Sequence, residues 1–133
     1  MGQCVELRYD GQAELDRSRG EYYYETAYSL RVVSMGDTST APFQRHTARV
    51  LCSATRPTVA TPLDEGGYVV WSLNPGGTPA SFLEETYKIY WVTCHDIAGP
   101  DFFSEEMSAF ARERGYPLDL EEVRDERETL DFF

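Results

Sequence analysis

The sequence predicts an α+β fold: a mostly antiparallel β-sheet of about six strands followed by two C-terminal helices packed on one face. Three observations carry this. Apolar and polar residues alternate with period two through the first two-thirds of the chain. Turn chemistry (Asp-Gly, Arg-Ser-Arg-Gly, Asn-Pro-Gly-Gly) interrupts the alternation at short intervals. Beyond residue 103 the pattern changes to helix caps and helical spacing. Strands first and helices after make an α+β chain, and 133 residues fit a single domain spanning 1–133, with strands within 3–95 and helices within 103–128.

Taken in order, Val5, Leu7 and Tyr9 alternate with polar residues, and Asp10-Gly11 suits a two-residue type I′ turn, so a hairpin is expected with strands 3–9 and 12–17. Residues 17–20 form the next turn. Residues 21–35 then read as one long strand with Tyr22, Tyr24, Tyr28, Leu30 and Val32 on its buried face. Residues 36–46 read as a loop, and 47–55 as a strand with Ala48, Val50, Cys52 and Ala54 on one face. Residues 56–67 read as a second loop stiffened by prolines, and 68–73 as a strand ended by Asn74-Pro75-Gly76-Gly77. Residues 85–95 are apolar on both parities, which predicts a strand in the middle of the sheet.

The helices follow. Ser104 is placed as an N-cap with Glu105 and Glu106 in the first turn, Met107, Phe110 and Ala111 make an apolar stripe, and Gly115 with Pro117 ends the helix. A second helix is expected from Asp119 as N-cap, with Glu122 completing a capping box and a thin apolar face of Leu120 and Val123. The terminal Phe132-Phe133 pair is expected to tuck into a groove of the protein itself. The alternative is a grip on a second subunit, which would make a homodimer.

Charge narrows the function classes. The net charge is −11, and residues 99–133 hold 11 acids against 4 basic residues. Such a chain is a poor direct binder of nucleic acid, because phosphate neutralisation needs clustered cations. It is suited instead to a basic protein partner reached by fast, salt-sensitive association. No apolar run is long enough to span a bilayer, and the first residues lack the basic-then-apolar pattern of a signal peptide. Cys4, Cys52 and Cys94 are odd in number and scattered, so they read as small buried hydrophobes in a reducing cytoplasm.

No motif commits the chain to catalysis, a metal or a cofactor. Cys94-His95-Asp96 brings three reactive residue types together, but neighbours on a strand point to opposite faces, so a strand end is the expected role and a small enzyme the lesser alternative. Asn74–Pro79 lacks the lysine and glycine spacing of a phosphate loop and reads as a tight turn. Arg45, His46, Arg49 and Arg56 lie in a segment without acids and could gather round a small anionic ligand such as a phosphate or nucleotide. The leading expectation is a non-catalytic acidic binding or inhibitor protein. It would dock on a nuclease or nucleic-acid-binding enzyme, as immunity and phage counter-defence proteins do. Glu105, Glu106, Glu121, Glu122, Asp125, Glu126 and Glu128 would be presented on helices as one negative face.

Overall fold

The alternation of the first half produces a meander. The computed structural model describes residues 3–34, 41–98 and 104–132. Its strands are β1 (Gln3–Ser18), β2 (Glu21–Ser34), β3 (Gln44–Cys52), β4 (Thr58–Pro62), β5 (Tyr68–Ser72) and β6 (Val123–Arg127). They form one antiparallel sheet in the order β1-β2-β3-β4-β5-β6. Two helices, α1 (Glu84–His95) and α2 (Glu105–Glu113), come between β5 and β6. The α+β class, the strand number and the presence of two helices are as expected; the identities of several elements are not.

β1 does not turn at Asp10-Gly11. Gly11 has a positive φ of 129°, but it serves a bulge, where the register slips between Tyr9 and Gly11, and the strand runs on. The chain reverses at Arg19-Gly20, both with positive φ (50° and 85°), as a primed turn requires. Long-range pairing decides this, because Leu7 opposite Leu30 and Tyr9 opposite Tyr28 align β1 with the whole of the long β2. The segment expected as a stiff second loop contains β4, whose Val59 and Ala60 are buried in mid-sheet while Pro57 and Pro62 stand at its ends. Of the expected 36–46 loop, residues 36–40 lie outside the described residues, and 44–46 belong to β3.

The expected strand at 85–95 is helix α1. Apolar residues on both strand parities fit a half-buried helix as well as a central strand. Tyr87, Ile89, Tyr90 and Trp91 are all buried. Glu84 and Glu85 sit in the first turn, where the helix dipole favours them, and Asp96 closes the helix in the left-handed conformation. The expected second helix at 118–128 is extended chain leading into β6. Its thin apolar face gave a helix little to bury, and the edge of β5 offered a full ladder, from Tyr68 opposite Arg127 to Ser72 opposite Val123. β6 is exposed and charged along its length, which protects the sheet edge from further pairing. α2 forms as expected: the Ser104 hydroxyl accepts a hydrogen bond from the Met107 N–H at 3.2 Å.

The helices cover one face of the sheet. Val50, Val59, Leu73, Tyr87, Tyr90, Trp91, Ala111 and Tyr116 form the core there. A buried hydroxyl pair, Thr26 to Thr93 at 2.8 Å, ties α1 to β2. The opposite face is a lattice of ion pairs: Arg31–Glu6, Arg8–Asp10 and Arg49–Glu25. Phe43 lies between the guanidinium groups of Arg8 and Arg31, 4.3 and 4.4 Å from its ring centre. Phe132 packs edge-on against Tyr23 with ring centres 5.2 Å apart, so this residue tucks onto its own chain; Phe133 lies outside the described residues. Among the described residues no helix is long and apolar enough to cross a membrane.

Cys52 and Cys94 are joined in a disulfide, with Cα atoms 5.5 Å apart. This corrects the reading of free buried cysteines and removes the argument for a reducing compartment that rested on it. The helical form of 84–95 is the reason: it delivers Cys94, in the last turn of α1, to the end of β3. The side chain of Cys4 lies outside the described residues.

The turn that follows β3 is pinned by charge. Arg56 donates from Nε and Nη2 to the two carboxylate oxygens of Glu21, each at 2.8 Å, and from Nη2 to the Phe132 carbonyl at 2.8 Å. The Arg56 hydrogen bonds hold the Glu21 carboxyl down at about 2, against burial, with Ser53 adding a further hydrogen bond. A folded-state pKa below the unfolded value gives stability that is full above the ordinary glutamate range and lost as pH falls from there toward 2. Arg56→Gln should therefore cost about 1 kcal/mol near neutrality. The difference from the native chain should narrow as pH falls through that window, to what the Phe132 carbonyl contact contributes. Urea unfolding across the acid range checks this, and a gap that does not narrow toward the acid end would refute it.

Candidate functional site

The Asn74–Ala80 loop is where sequence-distant acidic segments meet. It begins where β5 ends and is built for close approach. A Cβ on Gly76 would lie 2.5 Å from the Pro117 carbonyl oxygen, and one on Gly77 would lie 2.7 Å from that of Leu118. Glycine at both positions lets the 116–118 backbone lie directly against the loop. α2 grips the same loop from another side: Ser108 Oγ donates to the Gly77 carbonyl at 2.7 Å and Arg112 Nη1 to the Gly76 carbonyl at 2.9 Å. Glu105 shares the helix face of Ser108 and Arg112, three and seven residues on. The loop's last residue, Ala80, precedes the 3-10 turn Ser81–Leu83 that feeds α1 and its Glu84 and Glu85.

Glu122 locks the third segment. Its carboxylate accepts from the Ala80 N–H at 3.2 Å and from the Tyr87 hydroxyl, which itself accepts from the Asn74 N–H at 2.8 Å. Burial, reinforced by the Glu122 hydrogen bond, drives the Tyr87 phenol far above its ordinary value, so it stays protonated and donating. The carboxylates of Glu105, Glu106, Asp119 and Glu121 stand exposed around this knot without ion-pair partners among the described residues. Glu84 has one weak partner, Lys88 at 3.8 Å.

The residues expected to bind a partner are thus divided. Glu105, Glu106 and Glu121 flank the loop, whereas Glu122 points inward as a structural acceptor. Asp125 and Glu126 lie on β6, where successive side chains face opposite sides of the sheet. They pair with Arg127 at 3.0 Å and Arg124 at 2.7 Å. Glu128 is exposed just past the strand. A single helical face of all seven is overturned, because 118–128 is not a helix.

The arginine alternative is also separated. Arg45 and Arg49 share a sheet face as their parity required, but Arg49 is held by Glu25 at 3.0 Å and Arg56 by Glu21 at the far end of the strands. Arg45 and His46 line a pocket that also contains Asp64, and His46 stacks on Tyr28. Cys94 is consumed by its disulfide and cannot be a nucleophile in this form.

His95 instead ends a buried phenol chain that sequence reasoning missed. Its Nε2 lies 2.7 Å from the Tyr116 hydroxyl, which lies 2.6 Å from that of Tyr90; Tyr90 lies 3.3 Å from both the N–H and the carbonyl of Ser53. Burial and then the charge of Arg114 push the imidazole pKa down, and burial pushes the Tyr116 phenol up to about 12. Tyr116 follows Gly115 in what reads as a helix stop, and nothing local marks it as the partner of a residue 21 positions earlier. Among the described residues no group of three or more His, Cys, Asp or Glu side chains is placed to hold a metal. Compared with family models, curated proteins and solved structures, the chain matches none.

Proposed function

We propose that this chain is a non-catalytic binding protein whose acidic surface around the Asn74–Ala80 loop docks on a basic protein. The observation that carries the reading is the convergence itself: segments 84–85, 105–106 and 119–122 are fixed to one loop, with their exposed carboxylates left largely unpaired. On β1 and β2, by contrast, Glu6, Asp10, Glu14, Glu21 and Glu25 each pair with an arginine. A rigid array of unpaired carboxylates resembles the phosphates of a nucleic acid, which suits a nuclease or other nucleic-acid-binding enzyme as the target. An immunity or counter-defence role would use that chemistry. The Cys52–Cys94 bond suits an oxidising compartment, which supports an encounter outside a reducing cytoplasm.

The test is capture from a lysate of the source organism with the native chain and with a Glu105→Lys/Glu106→Lys/Glu121→Lys variant. A basic protein retained by the native chain should elute as salt rises, with affinity falling at least about tenfold once the Debye length drops below the spacing of the charges. The variant should retain none of it. Retention that ignores salt, or that survives charge reversal, overturns the reading.

A further inference from the structure

We propose that the pocket between the β1–β2 turn, the β3–β4 turn and the C-terminal ends of α1 and α2 binds a small oxyanion, a phosphate or carboxylate group on a small molecule. Gly20, Tyr22, Ser53, His95, Arg114 and Tyr116 line it, with Cys52 of the disulfide in its wall, and it encloses about 190 Å³. That is room for an anionic group of a few heavy atoms, below the usual volume of a drug-sized ligand site.

The side-chain charge that lines the pocket runs against that of the molecule. The chain carries 23 acids, yet among the described residues no carboxylate lines this cavity. The adjoining acid, Glu21, has both oxygens engaged by Arg56. Asp96, next to His95, is not among the residues that line the cavity. Arg114 has no carboxylate partner among the described residues; its guanidinium carbon lies 3.4 Å from the ring centre of Phe110. An arginine stacked in this way keeps its N–H edge free for a planar or tetrahedral anion. His95, which also lines the cavity, spends Nε2 on Tyr116, and its Nδ1 has no hydrogen-bond partner among the described residues. The disulfide fixes the last turn of α1, and so His95, against the end of β3. This site uses none of the carboxylates of the proposed partner surface, and it stands or falls independently of them.

The chain has two histidines, which makes the test internal. Ring resonances of His95 and His46 are followed by NMR during titration with inorganic phosphate, sulfate or acetate at constant ionic strength held with chloride. His95 should shift saturably at millimolar anion while His46 stays still. Saturation by phosphate and sulfate alone identifies a tetrahedral anion, by acetate alone a carboxylate, and by all three a site that reads only the shared oxyanion. Arg114→Gln should weaken binding at least about tenfold, as loss of a charge-assisted contact does, and His95→Gln should weaken it when followed by thermal shift. Should Arg114→Gln fail to fold, Arg114→Lys, which keeps the charge and loses the fork, should bind measurably more weakly. A linear response, equal movement of both histidines, or arginine variants that bind like the native chain would overturn the proposal.

Discussion

Reduction of the Cys52–Cys94 bond is expected to lower the unfolding midpoint by about 15 °C. The bond joins residues 42 apart in sequence. Closing a loop of that length removes chain entropy from the unfolded state worth about 4 kcal/mol. For a domain between the small and medium size classes, each kcal/mol moves the midpoint by roughly 3–5 °C. The folded state feels the loss as well, since the bond is the covalent link between the sheet and the last turn of α1. Thermal unfolding with and without reductant checks this, beside a Cys52→Ala/Cys94→Ala variant. The variant should melt near the reduced native chain and ignore reductant. A native chain whose midpoint does not move on reduction would show that the bond contributes nothing to stability.

The same bond illustrates where the sequence stopped being readable. Cys94 on a strand ending in mid-sheet had no reason to meet Cys52; on the last turn of a helix it does. The error lies in the segment Tyr87–Cys94, whose apolar residues fall on both strand parities and so carry no period to distinguish strand from helix. The final third failed in the opposite way. Asp119 and Glu122 make a plausible capping box, but Glu122 found stronger donors in Ala80 and Tyr87, 42 and 35 residues earlier. Local signals were reliable where nothing distant competed: the Ser104 cap, Gly115 with its positive φ of 96°, and the Arg19-Gly20 turn. The acidic surface was legible as composition and, at Glu105 and Glu106, as position. The arginine pocket was not, because Gly20, Ser53, His95 and Arg114 are assembled from four separate turns and helix ends.

Tyr87→Phe is expected to destabilise the fold by about 2–4 kcal/mol, although it removes a single oxygen. That oxygen has two obligations in a buried site: it accepts from the Asn74 N–H and donates to Glu122. Without it the Asn74 amide loses its acceptor and the Glu122 carboxylate keeps only the Ala80 N–H. Each group left wanting costs about 1–3 kcal/mol, more when one of them is charged. Glu122→Gln should cost less, because an amide oxygen still accepts from Ala80 or Tyr87. The double variant should cost less than the sum of the two, since the carboxylate stranded by Tyr87→Phe is no longer there. Urea unfolding of the three variants measures the cycle, and additive losses would mean that the two side chains are not coupled. The consequence reaches function, because this knot fixes the Asn74–Ala80 loop on which the acidic segments converge. Tyr87→Phe should weaken capture of a basic partner with every surface charge intact, at a temperature where the variant is still folded. Rigid placement of the carboxylates is thereby separated from their mere number: a chain that bound through net charge alone would not register the loss of a buried hydroxyl.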